Sequence, residues 1–206
     1  FNIEGWANCL PFFNNLKKYN TMACTFITDG RALNCKDSVG GLKAVYFAEF
    51  DEATAIGWVK DASLDTIDDV TVGGTIFKYD LKGSSTFEQT ITASRENGTV
   101  FYEQALNLTL PKLSAVDNKA VKLLATSNPQ VIVEDYNGSL FLVGREHGAD
   151  VSGGTIVTGG AMGDMSGYTL TFTGMETAPA EFITPDSTTA TSLVFTGGTV
   201  TINPGA

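Results

Sequence analysis

The chain is poor in the residues that usually carry chemistry. Its 206 residues include one histidine, His147, and three cysteines, Cys9, Cys24 and Cys35. One imidazole excludes every site built on two, and no Cys-x-x-Cys spacing supports a zinc or thioredoxin-like motif. An odd cysteine count gives no disulfide framework, so the three read as free, buried thiols. In an oxidising compartment Cys24 and Cys35, which flank the turn-like TFITDGRALN, would be the pair to join. No apolar run approaches the roughly eighteen residues of a spanning helix, so no membrane partner is expected. Positive charge is scarce as well. Thirteen Lys and Arg stand against 23 Asp and Glu, a formal net charge of −10. That balance argues against a surface that coats nucleic acid, because holding phosphate backbones needs clustered cations.

What is present points to strands. Threonine is the loudest signal at 26 residues, with 22 Gly and 15 Val beside it. Thr and Val favour pleated, half-buried surfaces, and Gly marks the turns between them. With 43% hydrophobic residues and 13 Phe, the chain can bury a real core and is not disordered. Residues 1–21 read differently, with five Asn, three Phe and no Val, and lack the basic start and apolar centre of a secretory signal. They are expected to be an N-terminal arm or an upstream extension. The β-rich body then runs over 22–206 as one structural domain, ending in a Gly/Thr-rich hairpin.

Along the body, Ala44–Phe50 reads as a strand. Ile67–Val72 and Thr75–Asp80 are strands joined by Gly73-Gly74. Phe87–Ser94 and Thr99–Leu110 meet around Asn97-Gly98, a dipeptide suited to the positive φ values of a type I′ turn. In the second of these, Val100, Tyr102, Leu106, Leu108 and Leu110 share one parity, predicting one buried face and one wet or interfacial face. Val131–Tyr136 and Ser139–Val143 meet at Asn137-Gly138. Tyr168, Leu170 and Phe172 alternate with threonines, and Thr191–Thr196 and Thr199–Ile202 close the chain around Gly197-Gly198.

One segment breaks the two-residue period. Over Lys112–Thr126, Leu113, Val116, Ala120, Leu123 and Leu124 recur at steps of three and four. Ser114 with Asp117 is a start signal and Asn128-Pro129 a stop, so one packed helix of about Ser114–Thr126 is predicted, with Leu123 and Leu124 on its buried side. The fold class expected is therefore mainly β: an antiparallel β-sandwich or half-barrel with one helix.

The chemical motifs reduce to structural readings. Gly144–Asp150 collects Arg145, Glu146, His147 and Asp150 but offers no nucleophile with a base, and reads as a turn leaving a strand. Thr66–Asp69 reads as a solvated hairpin start, not a calcium loop, because the twelve-residue ladder of oxygens is absent. Gly153–Gly163 lacks a phosphate loop's lysine and reads as a mobile loop. Three N-x-[ST] sequons begin at Asn97, Asn107 and Asn137, two of them Asn-Gly turns. No catalytic, cofactor-binding or metal-ligating constellation emerges, and an enzyme is not expected. After Arg145 there is no further Lys or Arg, while six acids follow. That stretch is either a solvated Gly/Thr-rich region or a surface kept negative in an assembly.

The stretch from Thr86 to Glu176 resembles the tail tube protein of long-tailed bacteriophages. The likeness lies in the order of parts: a long hairpin (TFEQTITASRENGTVFYEQALNLTL), a helix (KLSAVDNKAVKLLAT), then a second hairpin (QVIVEDYNGSLFLVGREHGAD). A Gly-rich loop and the strand GYTLTFTGMETAP follow. The opening MACTFITDGRALNCKDSVGGLKAVYFAEF also looks like the start of phage structural proteins. The resemblance implies a sandwich or half-barrel whose six copies close into a ring, the inner sheets forming one β-barrel and the rings stacking into a tube. It further implies a virion protein made in the host bacterial cytoplasm, with itself and other virion proteins as partners and DNA passing without tight binding. Another virion part (head decoration, tail terminator or baseplate subunit) and a secreted Ig-like binding module share the composition and stay open.

Overall fold

The computed structural model describes residues 38–50, 56–61, 64–82 and 84–205. The expected boundary at 21/22 and the Cys24–Cys35 pair lie outside the described residues.

The strands are β1 (Leu42–Ala48), β2 (Trp58–Lys60), β3 (Ile67–Val70), β4 (Thr75–Asp80), β5 (Thr86–Ser94) and β6 (Thr99–Pro111). The helix α1 (Ala115–Leu124) comes next, then β7 (Gln130–Asp135), β8 (Leu140–Val143), β9 (Asp150–Val157) and β10 (Gly167–Glu176). Four short strands end the chain: β11 (Glu181–Ile183), β12 (Ser187–Thr188), β13 (Ser192–Val194) and β14 (Thr199–Asn203). They form a ten-stranded sheet in the order β12-β13-β14-β4-β1-β7-β8-β11-β3-β2 and a four-stranded sheet in the order β5-β6-β10-β9. Among the described residues the protein is mainly β with one helix, as its alternation predicts.

At its centre the large sheet is apolar on both faces, as the nearly continuous hydrophobic runs of β1 and β7 require. One face (Tyr46, Ile76, Ile132, Leu142 and neighbours) packs on itself as the sheet curls into a half-barrel. There the turn between β13 and β14 comes back to β3: the Gly197 N–H donates to Asp69 Oδ1 at 2.5 Å, and Trp58 meets Phe195 edge-on at 6.3 Å. Asp69 thus holds a distant turn and is not the solvated hairpin start expected of Thr66–Asp69. The other face (Val45, Phe47, Val131, Val133) packs on Leu106, Leu108, Tyr168 and Phe172 of the four-stranded sheet.

Several local expectations need correction. β3 and β4 follow each other through Gly73-Gly74 but do not pair; β3 lies between β11 and β2, and β4 between β14 and β1. Two contacts, β4 with β14 and β3 with β11, are parallel. The Asn-Gly turns are not type I′: Gly98 (φ 65°) and Gly138 (φ 85°) take positive φ, whereas Asn97 and Asn137 do not. Ser94 pairs with Thr99, so the first hairpin closes through four residues with the left-handed residue last. The supposed loop Gly153–Gly163 is strand as far as Val157.

The helix begins as its sequence signals. Ser114 Oγ accepts from the Val116 and Asp117 amides, replacing two of the helix's orphan bonds. Of the two leucines expected on its buried side, only Leu124 packs there. Val121 and Leu124 touch the core between the sheets, whereas Leu123 is 58% and Val116 75% exposed. At the entry to the helix, Lys112 follows Pro111 with φ 76°, and its N–H donates to the Ser166 carbonyl at 2.6 Å. A Cβ in the left-handed region costs about 1–2 kcal/mol, offset in part by glycine's larger unfolded entropy. Lys112→Gly is therefore expected to raise stability by about 0.5–1 kcal/mol in denaturant unfolding; a loss of that size would show that the lysine side chain holds this joint.

Candidate assembly surface

The one histidine sits where the chain leaves the large sheet at β8 and enters the four-stranded sheet at β9. The turn between them, Gly144–Ala149, is tied to both sheets. From the four-stranded sheet, Gln104 Oε1 accepts from the Gly144 amide at 3.0 Å. Glu176 Oε1 accepts from the Glu146 and His147 amides, both at 3.0 Å, and its Oε2 lies 3.2 Å from His147 Nδ1. From the large sheet, Gln130 Nε2 donates to the Arg145 carbonyl at 2.8 Å, and Trp58 Nε1 donates to Gln130 at 2.9 Å. Glu181, nearly buried, receives Arg145 and Lys60 on one oxygen at 3.0 Å each. Lys60 also reaches Asp65, and these carboxylates hold its ammonium above the ordinary lysine range.

This arrangement is a joint. Glu146, His147 and Glu176 bring ligand atoms within 4.8 Å of one another and could hold a divalent ion. They would do so only by giving up the bond between Glu176 and His147, because both Glu176 oxygens already have partners. Gly144–Asp150 is thus a turn leaving a strand, and the cavity beside it measures about 10 Å³, room for no more than about one water. Glu176→Leu would remove the carboxylate that accepts from two part-buried amides on exposed residues, a loss of about 1–2 kcal/mol each. We expect a loss of about 2–4 kcal/mol in denaturant unfolding, with Glu176→Gln milder because the amide oxygen still accepts. A silent Glu176→Leu would show that water satisfies this turn.

The larger feature is the four-stranded sheet itself. Its directions alternate strictly, β5 against β6, β6 against β10 and β10 against β9. Among the described residues no further strand pairs with β5 or β9, so both edges present open backbone groups. Its inner side carries the Leu106–Phe172 core, and its outer side carries mostly polar residues, with Phe101 and Met175 among them. There Thr171 donates to Asn107 at 2.9 Å, Thr155 and Thr169 bond at 2.5 Å, and Ser152 meets Thr173 at 2.9 Å. The four strands contain the acids Glu88, Glu103, Asp150 and Glu176 and no Lys or Arg. Glu88 and Glu103 share the outer side with these threonines, as their registers opposite Ala105 and Thr90 require.

The sheet is also sheared. β5 lies level with Thr99–Asn107 of β6, whereas β9, through β10, lies level with Ala105–Pro111. The two edges are therefore displaced by four residues at one end and six at the other.

Parity alone identified the buried side of β6 at Leu106, Leu108 and Leu110, whereas Val100 on the same parity is 56% exposed. Nothing in the sequence announced the open edges, because Gly153 and Gly154 interrupt the alternation of β9. Compared with protein-family models, with curated proteins and with solved structures, the chain matches none.

Proposed function

We propose that this protein is a virion structural subunit of the phage tail tube kind. Copies join through the four-stranded sheet into rings, six to a ring as in the family it resembles, and the rings stack around a channel for DNA. The observation that carries this reading is the antiparallel, sheared sheet with two open edges. A sheet of four alternating strands can be continued by another copy, β9 against β5, without breaking antiparallel order. Where its rotation closes, repetition of that heterologous contact makes a ring and removes both edges of the four-stranded sheet. Matching β9 end to end with β5 advances the strands by roughly 5 × 3.3 Å for about 4 × 4.8 Å around the wall. That is a tilt of about 40°, inside the range of closed barrels.

The outer side of the sheet would then line the channel. Threonines with acids and no cation suit that place, since like charge keeps a phosphate backbone from adhering. The mixed, curled large sheet is unlike the two antiparallel sheets of an Ig-like module. Light scattering against concentration tests the assembly: mass should rise from 21.8 kDa towards closed rings and polymers. A monomer at every concentration would overturn the reading. In a low-salt DNA titration no saturable binding is expected in the micromolar range, and steeply salt-dependent binding would contradict a passive channel.

A further inference from the structure

The sandwich has two apolar flanks, one beside each open edge of the four-stranded sheet and both on its core-facing side. At the β9 edge, Ile156 lies level with Tyr168 and is 56% exposed. It shares a groove with Val121 of α1 and the capping residue Ala125, rimmed by Lys119 and Lys122. Val116 and Leu123 extend the apolar surface of the helix into solvent. At the β5 edge, Phe87 lies level with Leu106 and packs on Phe141 at 6.2 Å, which packs on Phe182 at 4.6 Å. Phe182 ends this aromatic row 48% exposed. Beside it, on the adjacent strand β3 and the same face, is the exposed Asp68. Among the described residues Lys119, Lys122 and Asp68 have no ion-pair partner.

We propose that these flanks are two halves of one contact between copies: the α1–Ile156 groove of one subunit receives the Phe87–Phe141–Phe182 row of the next. The assignment rests on the ring reading above and adds the second layer of the joint. Three observations bring the flanks together. Joining Val157 to Thr86 of the next copy, one of the two registers that overlap all eight residues of β9, sets Ile156 opposite Phe87 on the core-facing side. Side-chain parity agrees in that register, since Val157 and Thr86 both belong to the outer face. The rims are also complementary, two lysines on one flank and a carboxylate on the other. An apolar centre with a charged rim is the build of a specific interface, and it explains why α1 has no buried residue in the single subunit.

The test is a charge swap read by the concentration of half-assembly. Lys119→Glu with Lys122→Glu sets acids against Asp68, and Asp68→Lys sets three cations together. Each is expected to raise the half-assembly concentration roughly tenfold with unchanged melting of the subunit. The triple variant restores opposite charges and should return to within about threefold of wild type. Phe182→Ser should weaken assembly without rescue by any of these. If wild type assembles and all the variants assemble equally well, the flank contact is wrong while the ring stands. If wild type never assembles, ring and flank contact fall together.

Discussion

Phe172→Ala is expected to cost about 3–5 kcal/mol of folding stability, a large share of a domain's total. Phe172 is fully buried at the centre of the contact between the two sheets. Its ring lies 5.4 Å from that of Phe47, which in turn meets Tyr79 edge-on at 5.3 Å. Removing the ring leaves a cavity bounded by β-strands, whose ladders resist collapse, so the upper half of the range applies. Phe182→Ala is the comparison, since its half-exposed ring should cost about 1 kcal/mol or less in the isolated subunit. Denaturant unfolding of both variants measures the difference. If Phe172→Ala unfolds like wild type, the two sheets are not held together through this cluster.

The second large effect is expected at Gly154 on the edge strand β9. A Cβ there would lie 2.6 Å from the Thr169 carbonyl oxygen and 3.0 Å from Leu170 Cδ2. The first of these is backbone and cannot swing aside. Gly154→Val should push β9 off β10, costing about 1–3 kcal/mol in the subunit and abolishing assembly, because the displaced strand is the one offered to the next copy. Gly153→Val is the control. Nothing lies within 4 Å of its Cβ, and a β-branched residue suits an extended strand. It should fold at least as well as wild type. Loss of folding in Gly153→Val with survival of Gly154→Val would mean that the register of β9 is shifted by one residue.

Much of the fold was legible because strand alternation is a local signal. β4 was read to the residue, and the apolar parity of β6 and β10 identifies the inner side of the four-stranded sheet. Ser114 was legible as a cap because the bond it makes is with its own helix. Other features depend on partners distant in sequence. β2, β11 and β12, two or three residues long, owe their existence to the strands beside them. The order that places β1 beside β7 and separates β3 from β4 follows from curling the large sheet. β9 escaped because Gly153 and Gly154 remove the side chains that alternation needs, although Gly154 is there for the close approach of β10. The helix misled for a related reason: Leu113, Val116, Ala120, Leu123 and Leu124 spread too widely around it to define one stripe, and its core contacts come from Val121 and Leu124. Of the assembly surface, the acid excess and the threonine content were visible in the sequence. The open edges, the shear and the two apolar flanks exist only once the strands are paired.

Negative-stain microscopy of the purified protein, imaged from dilute to concentrated solution, tests the central claim most directly. The account predicts hollow rings that stack into tubes of constant width as concentration rises, with Gly154→Val giving neither. A field of uniform single subunits at every concentration, alike for wild type and Gly154→Val, would contradict it.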